Sequence, residues 1–230
     1  MDLNIVRDSL GLYFQGLWTT IWMVAVAVVA GLCLAVPLAV ARTSRNPLIS
    51  WPVWAYTYFF RGTPLLIQLF LIYYGLGQFQ FIQESVFWPL LKEAWFCALL
   101  AFALNTAAYT TEILRGAIEV TPVGEVEAAK AAGMSPFLML RRIILPSAFR
   151  RAVPAYGNEV IFMLHGSAVA SVVTIIDLTG AARLVQSRYY APYEAFITAG
   201  LFYLVLTFAV IWLFRIIEHR MHAHLRRPVG

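Results

Sequence analysis

The strongest constraint on this chain is a stretch with no ionisable charge at all: residues 9–41 read SLGLYFQGLWTTIWMVAVAVVAGLCLAVPLAVA. A hydrocarbon core of about 30 Å is crossed by roughly 20 helical residues, because each adds about 1.5 Å of rise. The stretch is long enough, so the chain belongs in a bilayer. Four further segments qualify, residues 51–77, 94–111, 154–176 and 195–214, and the first of these carries a single charge, Arg61. None alternates with period two. Helices, which satisfy their own backbone groups in lipid, are therefore expected in place of a barrel. Composition agrees, with 61% hydrophobic residues, 13% charged and a mean hydropathy of +0.73. The net charge of +5 does not indicate nucleic acid, since no basic face with interleaved aromatics accompanies it.

Five spans place the termini on opposite sides, and the bias of lysine and arginine assigns the sides. Arg42, Arg45, Arg115, Lys130, Arg141, Arg142, Arg150, Arg151, Arg215, Arg220, Arg226 and Arg227 put twelve on one side, against four on the other: Arg7, Lys92, Arg183 and Arg188. The N-terminus is expected outside and the C-terminus in the cytoplasm. Trp88, Tyr189, Tyr190 and Tyr193 fit an outer aromatic belt. The start, MDLNIVRDSL, has neither the basic opening nor the small-residue cleavage site of a signal peptide, so the first span is expected to be kept as an anchor. Cys33 and Cys97 lie in apolar runs without a CxxC pattern and are expected to be buried small side chains, not a disulfide or a metal site.

The one sizeable polar excursion, residues 112–151, is on the cytoplasmic side, and an excursion that long usually has its own structure and function. Thr121 and Pro122 read as N-cap and first helical residue, and Gly133 as the left-handed stop, giving a helix of about eleven residues. Ser135 and Pro136 repeat the start signal and open a second helix that Pro146 should end or bend. Ala128, Ala129, Ala131 and Ala132 give the first helix a thin surface on which another backbone can come close, with Glu125, Glu127 and Lys130 around it. Spacing alone leaves open a plain interfacial connector in which alanine is only a good helix former.

The spacing of Glu127-Ala128-Ala129, Gly133, Ile143 and Leu145-Pro146 resembles the EAA-x3-G-x9-I-x-LP signature of permease subunits of bacterial ABC importers. FRGTPLLIQL (residues 60–69), NTAAYTTEILRGAI (105–118) and NEVIFMLHGSAVAS (158–171) are similar to the polar amino acid uptake branch, so the resemblance covers nearly the whole chain. Within it the chain looks most like M-type subunits of histidine, lysine, arginine and ornithine or opine importers, which fits His165 where many relatives have lysine. The resemblance implies a type I importer fold, with residues 1–230 as one permease domain and a cytoplasmic coupling loop at about 115–150. There Glu125, Glu127, Ala128, Ala129, Gly133, Leu145 and Pro146 would meet the motor. It also implies two copies of an ATP-binding subunit holding ATP and magnesium, a second similar membrane subunit, a periplasmic amino-acid-binding protein and a bacterial inner membrane. No Gly-rich phosphate loop occurs in this chain, so hydrolysis is expected on a partner.

Arg61, Asn105 and His165 each lie about ten residues inside a span, near mid-depth, where polar groups are costly and mark functional sites. Arg61-Gly62-Thr63-Pro64 has the pattern of a broken helix, whose second half would present a partly positive N-terminus to a carboxylate, with Thr63 beside it. The alternative is a proline kink with Arg61 paired to a neighbouring carboxylate. Glu159, next to Asn158, suits an ammonium or a cationic side chain; alternatively, near the cytoplasmic boundary, it pairs with Arg150, Arg151 or a partner subunit. Glu112 and Arg115 read as an i,i+3 pair. His165-Gly166-Ser167 is no protease dyad, because neighbours on one helix do not converge. His219, His222 and His224, in a basic tail, lack the cysteines or carboxylates that would complete a metal site. The expectation is an all-α membrane protein of five helices, an ABC importer permease and not an enzyme; a self-sufficient secondary transporter or channel is the rival.

Overall fold

The computed structural model describes residues 3–221, and among these every regular element is helical. In chain order they are α1 (Leu3–Arg42), α2 (Pro47–Gly62), α3 (Leu65–Phe70), α4 (Gln80–Gln83), α5 (Trp88–Leu91) and α6 (Ala94–Glu119). There follow α7 (Val123–Ala131), α8 (Pro136–Met139), α9 (Leu145–Gly166), α10 (Leu178–Tyr189) and α11 (Pro192–Met221). A wide turn at Leu71–Gly75 extends α3, another at Leu140–Ile144 joins α8 to α9, and a tight 3-10 stretch, Ser167–Val173, follows α9.

By length and composition α1, α6 and α11 are each able to cross a membrane. At 40 residues α1 is about 60 Å long, twice the hydrocarbon thickness, so it projects beyond it. Two helix pairs are long and apolar enough only when taken together across a bend, as in a broken span or a re-entrant loop: Pro47–Gly62 with Leu65–Gln78 at 107°, and Pro136–Val173 with Leu178–Tyr189 at 48°. Segment 51–77 is therefore no single rod. It breaks where the Arg61–Pro64 pattern places the break, because a proline drives the residue before it out of the helical region: Thr63 is extended, at φ −117° and ψ 145°. The second bend passes through Thr174, whose φ of 69° is a left-handed conformation that a β-branched residue adopts only when its surroundings hold it there.

α6 is the centre of the bundle. It lies along α1 and also touches α2, α3 and α9, and 61% of its most apolar window is buried, against 11% for α11. The contact surfaces are made of small side chains: Ala98, Ala101, Ala107, Ala108 and Ala117 on α6, Ala27, Ala35 and Ala39 on α1, and Ala148 and Ala152 on α9 are all buried. Without a hydrophobic drive between helices in lipid, close backbone approach is what gains contact energy. Gly31 marks the tightest point, since a Cβ there would lie 2.4 Å from Thr106 Cγ2 and 3.2 Å from the Ala103 carbonyl. Large apolar groups face outward instead, among them Trp18, Val29, Val205, Phe208 and Trp212.

Several local expectations are corrected. α7 has nine residues and begins at Val123, with Pro122 in the cap position; Thr121 does not cap it, because its hydroxyl accepts from Arg151. Pro146 does not end its helix: the backbone stays helical from α8 through the wide Leu140–Ile144 segment into α9, and Pro146 follows directly on that wide turn. Cys97 is buried as expected, but Cys33 is exposed on α1. Other signals act as expected. Gly133 is left-handed at φ 74°, Met134 N–H closes back on the Ala129 carbonyl, and the Ser135 hydroxyl accepts from Leu138 N–H.

Gly31→Ala is expected to push α1 off α6 and to lower the thermal midpoint of the detergent-solubilised protein, at a cost of about 1–3 kcal/mol. Gly200→Ala, which meets nothing within 4 Å, should leave the midpoint unchanged or raise it.

Candidate functional site

The break between α2 and α3 frees backbone groups inside the bundle, and side chains take them up. Gln68 Nε2 donates to the Phe60 carbonyl (2.8 Å), the Thr63 carbonyl (3.0 Å) and Thr63 Oγ1 (2.8 Å). Thr63 Oγ1 in turn donates to the Phe59 carbonyl at 2.8 Å. Asn105 Nδ2 on α6 donates to Gln68 Oε1 (3.0 Å) and more weakly to the Phe60 carbonyl (3.3 Å). Two tyrosines fasten α2 to α6 on either side: Tyr56 donates to the Leu104 carbonyl at 2.6 Å, and Tyr109 to the Arg61 carbonyl at 3.3 Å.

Beside the break is a cavity of about 580 Å³, within the range of small-molecule sites. Arg61 to Leu65 form one wall, Asn105 and Tyr109 of α6 the second, and Glu159, Phe162, Met163 and Gly166 of α9 the third. The Arg61 guanidinium lies 5.4 Å from the Tyr109 ring centroid, over its face. Glu159 is 5% exposed and feels the Arg61 charge through space. The cavity is bipolar: a cation and the start of a half-helix on one wall, a carboxylate on another, and aromatic and thioether surface between.

Of the residues singled out in the sequence, Arg61, Thr63, Asn105 and Glu159 meet here, whereas Asn158 and His165 do not line the cavity. Helical geometry explains the split, since positions 159, 162, 163 and 166 fall on one stripe of α9 while 158 and 165 lie off it. Asn158 is exposed on another face, and His165 Nε2 meets Thr207 Oγ1 of α11 at 3.0 Å. Tyr109, Phe162 and Gln68 were not singled out. The i,i+4 step from Asn105 and the i,i+3 step from Glu159 are the signals that find the first two.

Glu159 is not partnered by Arg151. That guanidinium donates to the Ala117 carbonyl (3.3 Å from Nε, 3.0 Å from Nη2), Thr121 Oγ1 (2.8 Å) and Ser147 Oγ (2.7 Å), closing the end of α6 and fastening the excursion to it. Glu112 and Arg115 do form the i,i+3 pair, at 2.7 Å. Arg115 also reaches Glu119 at 2.6 Å, and Glu112 accepts from Thr57 of α2 at 3.0 Å and lies 3.5 Å from Arg42 of α1. The result is a charged junction of three helices.

At the excursion, α7 stands away from the bundle: of its residues only Ala129 is buried, while Glu125, Glu127 and Ala128 are exposed. A groove of about 480 Å³ runs between Ala128, Ala129 and Ala132 on one side and Ile143, Pro146 and Ser147 on the other, rimmed by Glu125, Arg142 and Arg150. Gly133 turns the chain at its end, and Leu145 is half-buried at the start of α9. Among the described residues no group of three or more His, Cys, Asp or Glu is placed to hold a metal; His222 and His224 lie outside them.

Residues 27–223 match the family described as "Binding-protein-dependent transport system inner membrane component". The nopaline transport system permease protein NocM of Agrobacterium fabrum is 44% identical over 231 residues, covering 100% of this chain and 96% of its own. The histidine/lysine/arginine/ornithine transport system permease protein HisM of Escherichia coli is 45% identical over 217 residues, covering 94% of this chain and 91% of its own. Among solved structures, an amino acid ABC transporter crystallised with histidines is similar at a TM-score of 0.84 and 33% identity, over 96% of this chain and 99% of that one. A methionine transporter, MetNI, in an inward-facing conformation shares the fold at a TM-score of 0.77 and 20% identity, over 91% of this chain and 96% of that one.

Arg151→Ala would leave the Ala117 carbonyl and Thr121 without their charged donor; the expected loss is about 1–3 kcal/mol, read as a lower thermal midpoint in detergent, with Arg151→Lys recovering only part of it.

Proposed function

The chain belongs to the family of binding-protein-dependent transport system inner membrane components, and from that membership we propose that it is the permease subunit of an ATP-driven importer of basic amino acids or opines. Family membership favours this over a self-sufficient secondary transporter or channel. The observation that carries the substrate class is the bipolar cavity, with Arg61 and Glu159 on different walls. Histidine, lysine, arginine and ornithine, named for the HisM relative, each combine a carboxylate, an ammonium and a nitrogenous side chain. In our reading Arg61, Thr63 and the start of α3 take the carboxylate, while Glu159, backed by the Asn105 wall, takes the ammonium or the cationic side chain. Asn158 and His165, off the cavity, have no part in this assignment.

We place the chain, as one domain of five spans with two of them bent, in a bacterial inner membrane, N-terminus outside and C-terminus in the cytoplasm. It would pair with a second similar membrane subunit and receive solute from a periplasmic amino-acid-binding protein. Two copies of a cytoplasmic subunit would bind ATP and magnesium. α7 is the joint to that motor: Glu125, Glu127 and Ala128 are offered to it, Gly133 shapes the turn, and Leu145 and Pro146 carry the movement into α9. For the motor to drive transport, α7 must make different contacts in two states of the assembly, because uniform attachment shifts no equilibrium.

In proteoliposomes holding the complete transporter, arginine uptake should require ATP and be indifferent to ionophores; uptake that collapses with the ion gradient while ATP persists would sink the importer reading. Glu159→Gln should lower uptake of arginine by about tenfold or more, the worth of one charge-assisted hydrogen bond. Wild-type rate and affinity in that variant would remove Glu159 from the site. Glu127→Lys combined with Ala128→Trp should abolish uptake while recovery of the membrane subunits is unchanged.

A further inference from the structure

Gln68 is a polar side chain deep in a membrane bundle, 2% exposed, that does not line the cavity. Its carboxamide is wholly engaged by the break. Two amide hydrogens serve three acceptors, the carbonyls of Phe60 and Thr63 and the Thr63 hydroxyl, all of which precede Pro64, while Gln68 itself stands one turn into α3. The amide oxygen accepts from Asn105 of α6. Gln68 therefore ties together the end of α2, the start of α3 and the central helix.

Other bonds do not replace this tie. Tyr56 and Tyr109 join α2 to α6 and leave α3 out. Thr63 and Pro64 are extended; the Pro64 carbonyl accepts from Ile67 and Gln68 N–H to open α3, and Thr63 Oγ1 donates back to the Phe59 carbonyl of α2, but neither set of bonds joins α3 to α2 across the break. Without Gln68 the Thr63 carbonyl would lose its donor and the Phe60 carbonyl would keep only the longer bond from Asn105, in surroundings where each unmet backbone group is costly. The break would then sample a range of angles, and Arg61 and Thr63, which flank it, would move with it.

We propose that Gln68 is a positioning residue for transport: its carboxamide clamps the α2–α3 break and so fixes the aspect in which Arg61 and Thr63 face the solute, without touching the solute itself. The transport part rests on the cavity being the solute site, as read above; the clamp rests on geometry alone.

The test uses the complete transporter in lipid nanodiscs and proteoliposomes, with Cys33→Ser and Cys97→Ala as background. Spin labels at Tyr58→Cys and Leu71→Cys, two exposed positions on opposite sides of the break, report its distance distribution. Gln68→Met keeps length and volume and removes every hydrogen bond. The expected result is a broadened distribution with maximal arginine uptake reduced about tenfold, while complex recovery and half-saturation by ATP stay at wild-type values. A purely architectural role would instead reduce recovery. A distribution as narrow as wild type overturns the clamp, and a broadened one with wild-type uptake overturns the positioning role. Should Gln68→Met not assemble, Gln68→Asn, polar but one methylene too short to span both sides, replaces it with the same two readings. If the unmodified transporter shows no ATP-driven uptake of any basic amino acid, the importer reading falls, and the distance measurement still decides for or against the clamp.

Discussion

Everything distinctive about this fold follows from one constraint: in hydrocarbon a backbone N–H or C=O must be paired by protein, because no water is there to do it. Straight helices meet that requirement by themselves, and α1, α6 and α11 do so. A helix broken by 107° does not, and the break survives only because Gln68, Thr63 and Asn105 supply the donors and acceptors that the lost turn withdrew. The cavity is a consequence of that solution. Opening the helix leaves room beside it, and the polar groups that repair the backbone stand next to the wall that presents Arg61 and Thr63. Structural repair and cavity share a location for a physical reason.

The same constraint decides what could be read from the sequence. Features set by local chemistry were legible: long uncharged runs mark apolar helices such as α1, Thr63-Pro64 marks the break, and Gly133 and Ser135-Pro136 mark the end of one short helix and the start of the next. Depth brought Arg61, Asn105 and His165 forward; the first two meet, and Glu159, which stood out for its charge beside Asn158, joins them. What depth cannot supply is azimuth. His165 has much the same depth as its cavity-lining neighbours, yet it sits off the 159, 162, 163, 166 stripe and faces Thr207 instead. Cys33 fails for the same reason, since an apolar run contains both the buried and the lipid-facing side of its helix. Gln68 was invisible because a lone amide inside a span acquires meaning only when the carbonyls it serves are known to be unpaired. Thr121 went to a tertiary partner, Arg151, whose guanidinium offers more than a local cap does.

The scaffold that holds these parts sets long stripes of small side chains around a few large ones, such as Met23, Leu69 and Phe102. Alanines and glycines along α1, α6 and α9 let backbones approach until their dispersion contacts substitute for the hydrophobic drive that lipid removes. Rigidity at the centre contrasts with the lightly buried α7, which touches the bundle mainly through Ala129 and leaves its acidic positions exposed. In the proposed coupling, a motion imposed on α7 would bypass α6, which it hardly touches, and pass to the next continuous element.

That element is α9, which borders both the groove and the cavity. Pro146, Ser147 and Arg150 in its first turns line the groove against α7, and Glu159, Phe162, Met163 and Gly166 further along line the cavity. The two sets are about a dozen residues apart, or roughly 20 Å along one helix. Arg151 lies between them and binds the helix to the end of α6 through Ala117 and Thr121, so that it serves as a fixed point on the rod. Arg151 is not the only fixed point: Tyr156 donates to the Val28 carbonyl of α1 at 3.3 Å, His165 meets Thr207 of α11, and Met163 and Leu164 lie in the core, so that in the proposed coupling α9 would move together with the helices packed on it. In the proposed coupling the wall bearing Glu159 would move relative to the wall bearing Arg61, which Gln68 and the tyrosines fasten to α6. A solute spanning the two walls would feel that separation directly, which is how closure of a motor outside the membrane would change affinity within it.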